Sequence, residues 1–309
     1  MEHTIASRAR CTGIGLHSGR PVSLTLRPAA PGTGVLFERT DCQPVIRFPA
    51  RAEWVVDTTL ATTLGTPDHE ARLSTVEHLL AALCALGVDN CTVEVSGPEL
   101  PVMDGSAAPF VYLIQQAGLR PQRRLRRTLV IRRPIEVRDG NRWVRVIPSR
   151  EFKLSVAIDY PHPAIRRQSI DSLRVSARRF ARELAPARTF GFLEDVRRLR
   201  SLGLSLGGSL QNAVVLDEAG VLNREGLRYR DEFVRHKALD LIGDLALLGL
   251  PLRGHVKALR GGHRLHRALI SEIRANPSCW SVEVPDGTRH YEPRPARRPV
   301  PAPARAAAR

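Results

Sequence analysis

The chain has 309 residues, about twice a typical domain, and its 43% hydrophobic content excludes a chain too polar to bury a core. Five scattered cysteines, Cys11, Cys42, Cys84, Cys91 and Cys279, form no C-x-x-C pair; they indicate neither a cysteine-built zinc site nor a disulfide framework and favour a reducing, cytoplasmic setting. The net charge of +16 comes almost entirely from arginine, concentrated in Arg120–Arg133 and Arg166–Arg200; it suits polyanions generally, but no zinc-finger, RNP-like or helix-turn-helix signature singles out nucleic acid.

The start, Met1-Glu2-His3-Thr4, has no apolar h-region, and the longest apolar stretches, Leu79 to Val88 and Leu245 to Leu252, fall far short of the ~18 residues of a membrane helix. Neither a signal peptide nor a span is expected. The arginine excess describes equally a solvated surface and one that touches anionic lipid headgroups transiently.

In chain order, Pro21-Val22-Ser23-Leu24-Thr25-Leu26 alternates and predicts a strand. A helix near residues 75–86 follows, then a strand Cys91-Thr92-Val93-Glu94-Val95, and Asp104-Gly105-Ser106 opens a second helix near 107–117. The polar, proline-containing stretch Leu119 to Arg127 divides a first domain, residues 1–122, from a second, residues 128–284. The second half repeats the order. Strands at Leu129-Val130-Ile131, Trp143-Val144-Arg145-Val146 and Leu154-Ser155-Val156-Ala157-Ile158 precede a helix near 231–248. A strand near His255 to Leu259, a Gly261-Gly262 break and a helix near 264–275 complete it. From Pro285 onward Pro, Arg and Ala dominate and little can be buried, which predicts a disordered basic tail.

Helical phase separates the chemistry from the core. At about 100° per residue, Val76, Leu79, Leu80, Leu83 and Leu86 share one face, while His78 falls with Ala81, Ala82 and Ala85 on a face small enough for close approach. In the later helix Val234, Ala238, Leu241, Ile242 and Leu245 form the apolar stripe, opposite Phe233, His236, Lys237, Asp240, Gly243 and Asp244. His236 and Asp240, four apart, put their side chains roughly 5–6 Å from each other on one face. With His78 as a third ligand they would make the usual protein set of a catalytic zinc centre. Two other interpretations stand beside this one. Ser74-x-x-Glu77 also fits a capping box with Ser74 as N-cap, and His236, Asp240 and Asp244 by themselves also describe a solvated helix face.

Six blocks in order carry a resemblance. They are Thr12-Gly13-Ile14-Gly15-Leu16-His17-Ser18-Gly19; Ser74-Thr75-Val76-Glu77-His78-Leu79; Val102-Met103-Asp104-Gly105-Ser106-Ala107-Ala108-Pro109-Phe110; Ala187-Arg188-Thr189-Phe190-Gly191-Phe192 with Leu206-Gly207-Gly208-Ser209; Asp231-Glu232-Phe233-Val234-Arg235-His236-Lys237 with Asp240 and Gly243-Asp244; and Gly262-His263. From about residue 3 to about residue 280 the chain resembles the zinc-dependent UDP-3-O-acyl-N-acetylglucosamine deacetylases, which catalyse the committed step of lipid A synthesis. The resemblance implies an α+β fold of two similar domains, each a β-sheet with a pair of helices, the helices packed between the two outer sheets.

It also implies roles. His78, His236 and Asp240 would bind Zn²⁺, although two histidines and a carboxylate also suit Fe²⁺. Glu77 would be the general base, and His263, held by Asp244, the protonated partner that donates to the leaving amine. Thr189 would hydrogen-bond the oxyanion, and Lys237, Phe190 and Gly208 would contact substrate. The substrate is a UDP-sugar carrying one acyl chain, for which Phe190 to Gly208 would line a passage; pattern alone equally fits an amphipathic helix on a core. A monomer is expected. Two departures are visible: Thr58 to Leu64 holds no cysteine where many relatives have one, and His266 replaces a usual asparagine and is expected to face solvent. An amidohydrolase acting on another amide, and a basic binding protein with a vestigial site, are the competing functions.

Overall fold

The computed structural model describes residues 1–66, 68 and 71–285. The expected basic tail therefore lies outside the described residues, apart from Pro285. The first half builds a five-stranded sheet in the order Ala9–Ile14, Pro21–Pro28, Cys91–Val95, Val35–Arg39, Ile46–Pro49. All its pairings are antiparallel except the parallel one between Val35–Arg39 and Cys91–Val95. Alternation selects the inner face: Val22, Leu24, Leu26, Cys91, Val93 and Val95 are buried. Against this sheet half pack α1 (Glu77–Leu86) and α2 (Ala108–Ala117). Gly87, left-handed at φ +80°, ends α1 by donating its amide to the last carbonyls, a conformation glycine adopts without steric cost. The strand Leu119–Pro121 returns to pair with His3–Ile5.

The second half builds a seven-stranded sheet. Its main path runs Ile135–Asp139, Arg142–Ile147, Leu252–Leu259, Thr128–Ile131, Trp280–Glu283; Phe152–Tyr160 joins Leu252–Leu259 in parallel and carries Arg166–Arg174 outward. A short helical turn α3 (Ala177–Arg179) and an exposed helix α4 (Leu193–Ser201) precede α5 (Glu232–Ala246) and α6 (His263–Ala275). The fold is thus α+β with two sheet-and-helix-pair halves, and the helices meet at the centre.

The closest helix crossing is α1 on α5, and its cause is a glycine. A Cβ at Gly243 would stand 2.0 Å from the Glu77 carbonyl oxygen, so a side chain there would force the two helices apart. That contact buries what the solvated-face interpretation left outside: His236, Asp240 and Asp244 are each 2% exposed, and Ala81 and Ala82 are fully covered. The capping box is not formed. α1 begins at Glu77 with no side-chain cap, Thr75 turns through φ +60°, and Ser74 Oγ instead accepts from the Thr63 hydroxyl.

Candidate metal centre and active site

One buried carboxylate oxygen organises the centre. His236 Nε2 stands 3.3 Å and His78 Nε2 3.6 Å from Asp240 Oδ1, and the three ligand atoms all lie within 4.8 Å of one another. Two ligands each about 2.05 Å from a tetrahedral ion are about 3.3 Å apart, so the spacing is that of donors around one metal. Asp240 Oδ1 is itself buried with no hydrogen-bond partner among the described residues. Burying an unpaired carboxylate oxygen is costly, and a cation between the two imidazoles would remove the cost. The remaining valences are already used. His236 Nδ1 donates to the Ala187 carbonyl at 3.0 Å, which leaves Nε2 as its free donor atom, and Asp240 Oδ2 accepts from Lys237 Nζ at 2.8 Å.

Electrostatics agree with that assignment. Burial, helped by the charges of His78 and Lys237, pushes His236 down to about 3 against the pull of Asp240, so the imidazole is neutral and able to ligate. Asp240 is held well below the carboxylate range: burial would raise it, but its neighbours, the Lys237 ammonium 2.8 Å away among them, outweigh burial.

Beside the triad lies a second group with opposite protonation states. Burial raises the Glu77 carboxyl, opposed by His263 and His78. Burial would lower His263, but Asp244 at 2.8 Å from Nδ1 overrides it and lifts the imidazole to about 9. A base shifted up toward neutrality and an acid still charged at neutral pH therefore face each other, Glu77 Oε1 and His263 Nε2 being 4.0 Å apart. His263 is the first residue of α6, where the helix dipole disfavours its charge, so Asp244 is what keeps it protonated.

Phe190 and Lys237 adjoin the triad: the Phe190 ring centroid is 6.4 Å from that of His236, and Lys237 Nζ sits 5.6 Å over the Phe190 ring. Thr189 is pinned by its amide to Gly105 and its carbonyl to Val214, two residues beyond the Ala187 carbonyl that fixes His236. Gly208 is not drawn to the metal ligands; its neighbours are Leu16, Ser205 and Arg200. α4 buries none of its residues, which removes the core-helix interpretation of that segment, and Leu202, Leu206 and Leu210 are 69%, 55% and 44% exposed.

His266 does not face solvent. It is 2% exposed and donates Nδ1–H to Asp244 Oδ2 at 2.6 Å. The reason is phase: His266, Leu269, Ile270 and Ile273 lie at i, i+3, i+4 and i+7, the inward stripe of α6, and all four are buried. Two further residues escaped the reading of the sequence. Arg188 is buried in a pair with the fully buried Glu232, Nε to Oε1 2.9 Å, which ties the Ala187–Thr189 segment to the start of α5. Thr62 touches both Glu77 and Asp244.

The family model for UDP-3-O-acyl N-acetylglycosamine deacetylase matches residues 2–275. A UDP-3-O-acyl-N-acetylglucosamine deacetylase of Myxococcus xanthus is 51% identical over 291 residues, 94% of this chain and 91% of its own. Another, from an Anaeromyxobacter species, is 50% identical over 299 residues, 97% and 96% of the two chains. A third, from a Geobacter species, is 48% identical over 282 residues, 91% and 92%.

Proposed function

We infer, from the premise that this chain belongs to the UDP-3-O-acyl N-acetylglycosamine deacetylase family, how its residues carry out that deacetylation. The enzyme is a hydrolase that removes the N-acetyl group from UDP-3-O-acyl-N-acetylglucosamine in lipid A biosynthesis, releasing acetate and a free 2-amine. The observation that carries the mechanism is the unpaired Asp240 Oδ1, converged on by two imidazole nitrogens beside a carboxyl–imidazolium pair.

His78, His236 and Asp240 would hold Zn²⁺, and Fe²⁺ is the alternative the same donors suit. When bound, the ion supplies a Lewis acid and lowers the pKa of water to about 7. Glu77 Oε2 is held by the Thr62 amide at 3.1 Å, which leaves Oε1 to take the proton of the attacking water. His263, protonated, stabilises the oxyanion from Nε2 and then gives that proton to the departing nitrogen. The Thr189 hydroxyl adds a hydrogen bond to the oxyanion. Lys237 and Phe190 meet the sugar end of the substrate, with Gly208 in the loop beyond. Among the described residues no helix is long and apolar enough to cross a membrane, and the free thiols support a cytoplasmic setting.

The proton inventory makes a pH prediction. Asp244 raises His263 to about 9, so the rate should fall as pH rises through that region and the imidazolium is lost. Asp244→Asn removes the charge that does the raising, and the alkaline limb of the kcat/KM profile should then move to lower pH. An unmoved limb would dissociate the pair.

The exposed Leu202, Leu206 and Leu210, with half-buried Phe192 and Leu204, support an apolar route for the acyl chain. Each buried methylene contributes about 0.8 kcal/mol, so shortening the chain to acetyl should lower kcat/KM about 100-fold or more. Acetate release from a series of acyl lengths measures this, with N-acetylglucosamine as the control. Equal turnover of N-acetylglucosamine would make the protein a general amidohydrolase instead.

A further inference from the structure

Thr62 lies just before the strand Thr63–Gly65, in a segment whose sequence shows no pattern, yet it is 2% exposed and meets all three helices that carry the site. Its carbonyl accepts from the Val76 amide at 3.3 Å, where α1 begins. Its amide donates to Glu77 Oε2 at 3.1 Å. Its hydroxyl stands 2.5 Å from Asp244 Oδ1 on α5 and 3.3 Å from His263 Nδ1 on α6.

Hydrogen accounting gives these contacts a direction. A carboxylate only accepts, so the single hydroxyl hydrogen of Thr62 must point at Asp244 Oδ1. The hydroxyl oxygen is then left as an acceptor facing His263 Nδ1, which must carry a hydrogen shared between it and Asp244 Oδ2 at 2.8 Å. Asp244 thereby accepts from three donors, Thr62 on Oδ1 and His263 with His266 on Oδ2. Nε2 is consequently the nitrogen of His263 that faces Glu77 Oε1. One residue thus fixes which oxygen of the base is free, which nitrogen of the acid points inward, and the carboxylate between them.

We propose that Thr62 is a positioning residue for the deacetylation, its amide aiming the general base and its hydroxyl locking Asp244 and the ring orientation of His263. The proposal rests on the catalytic roles inferred above for Glu77 and His263. It also accounts for the failed capping box: Glu77 turns to the Thr62 amide and not back to Ser74.

The test compares Thr62→Val, which deletes the hydroxyl at nearly constant volume, with Thr62→Ser, which keeps it, in the metal-loaded full-length enzyme. Thr62→Val should lower kcat about 10- to 100-fold with KM within about twofold and metal content unchanged, the size of effect seen when outer-shell partners are lost. Thr62→Ser should recover most of the rate. Independently of any substrate, the Nδ1–H proton resonance of His263 should shift or broaden in the valine protein and persist in the serine protein. Should the valine protein not fold, Thr62→Ala carries the same expectation. Equal impairment of serine and valine, wild-type kcat in valine, or a loss traced to missing metal each overturns the proposal. A wild-type protein that releases no acetate defeats the functional reading instead, and the resonance then decides the role of Thr62 alone.

Discussion

Asp240→Ala should purify with little bound metal and with acetate release lowered about 1,000-fold or more, equivalent to about 4 kcal/mol of barrier. The carboxylate contributes in two ways that the structure separates. Oδ1 faces the Nε2 atoms of His78 and His236, and Oδ2 neutralises Lys237. Removing it leaves two imidazoles, too few donors for a tight site, and a largely buried ammonium without its hydrogen-bonded counter-charge. Some loss of thermal stability is therefore expected as well. His78→Ala resolves the ambiguity, because it leaves the Lys237–Asp240 pair intact while removing one ligand. Metal analysis of both proteins together with acetate release is the measurement. Near-stoichiometric metal in either variant would show that the cluster is not the metal site.

Glu77→Gln should behave in the opposite way toward metal. The side chain is not among the three converging donors, so metal content should match wild type, while kcat falls about 100- to 10,000-fold for want of a base. The amide oxygen can still accept from Thr62, so the fold around it is preserved. Stability supplies a second check with a definite sign. Burial raises the Glu77 pKa above its unfolded value, so the folded state binds that proton more tightly than the unfolded state does. Stability from this group is present at low pH and is lost as pH rises from the unfolded value through the folded one. At neutral pH the metal-free glutamine protein, which has no charge to bury, should melt no lower than wild type. A lower melting temperature would mean that the carboxylate is held by favourable partners and is not a strained base. Substantial residual kcat would pass the base role to another group.

Much of the site was legible because α-helical geometry is local. The four-residue step from His236 to Asp240 and the adjacency of Glu77 and His78 specify relative positions without knowledge of the rest of the chain; the structure gathers His78, His236 and Asp240 in one cluster and sets Glu77 beside it, facing His263. The strand Cys91–Val95 was delimited to the residue, since its alternation runs between clear breaks. His266 was misplaced although its signal was present. The spacing to Leu269, Ile270 and Ile273 marks the inward stripe of the helix. Gly208 lies in a loop that packs on Leu16 and Gly15 of the first half.

Thr62 and the Glu77 cap had no such signal. Thr62 is 182 residues from Asp244 and 201 from His263, and no periodicity links a loop hydroxyl to two helices of the other half. The same limit applies to protonation. A sequence names a glutamate and a histidine; their shifted pKa values arise from how completely two sheets bury them and which charge lies within reach.

Sequence by itself determined the residue types, their helical phase and the order of motifs, and hence the family and its chemistry, because these depend on intervals of a few residues along one chain. Tertiary structure alone decided that polar helix faces would be interior, that Asp240 Oδ1 would lie between two imidazoles without a hydrogen-bond partner among the described residues, and that Thr62 and His266 would both donate to Asp244. The physical reason is the α1–α5 crossing at Gly243. Close approach there helps remove water from Glu77, His78, His236, Asp240 and Asp244 together, and desolvation turns their mutual distances into the acid, the base and the ligands of one site.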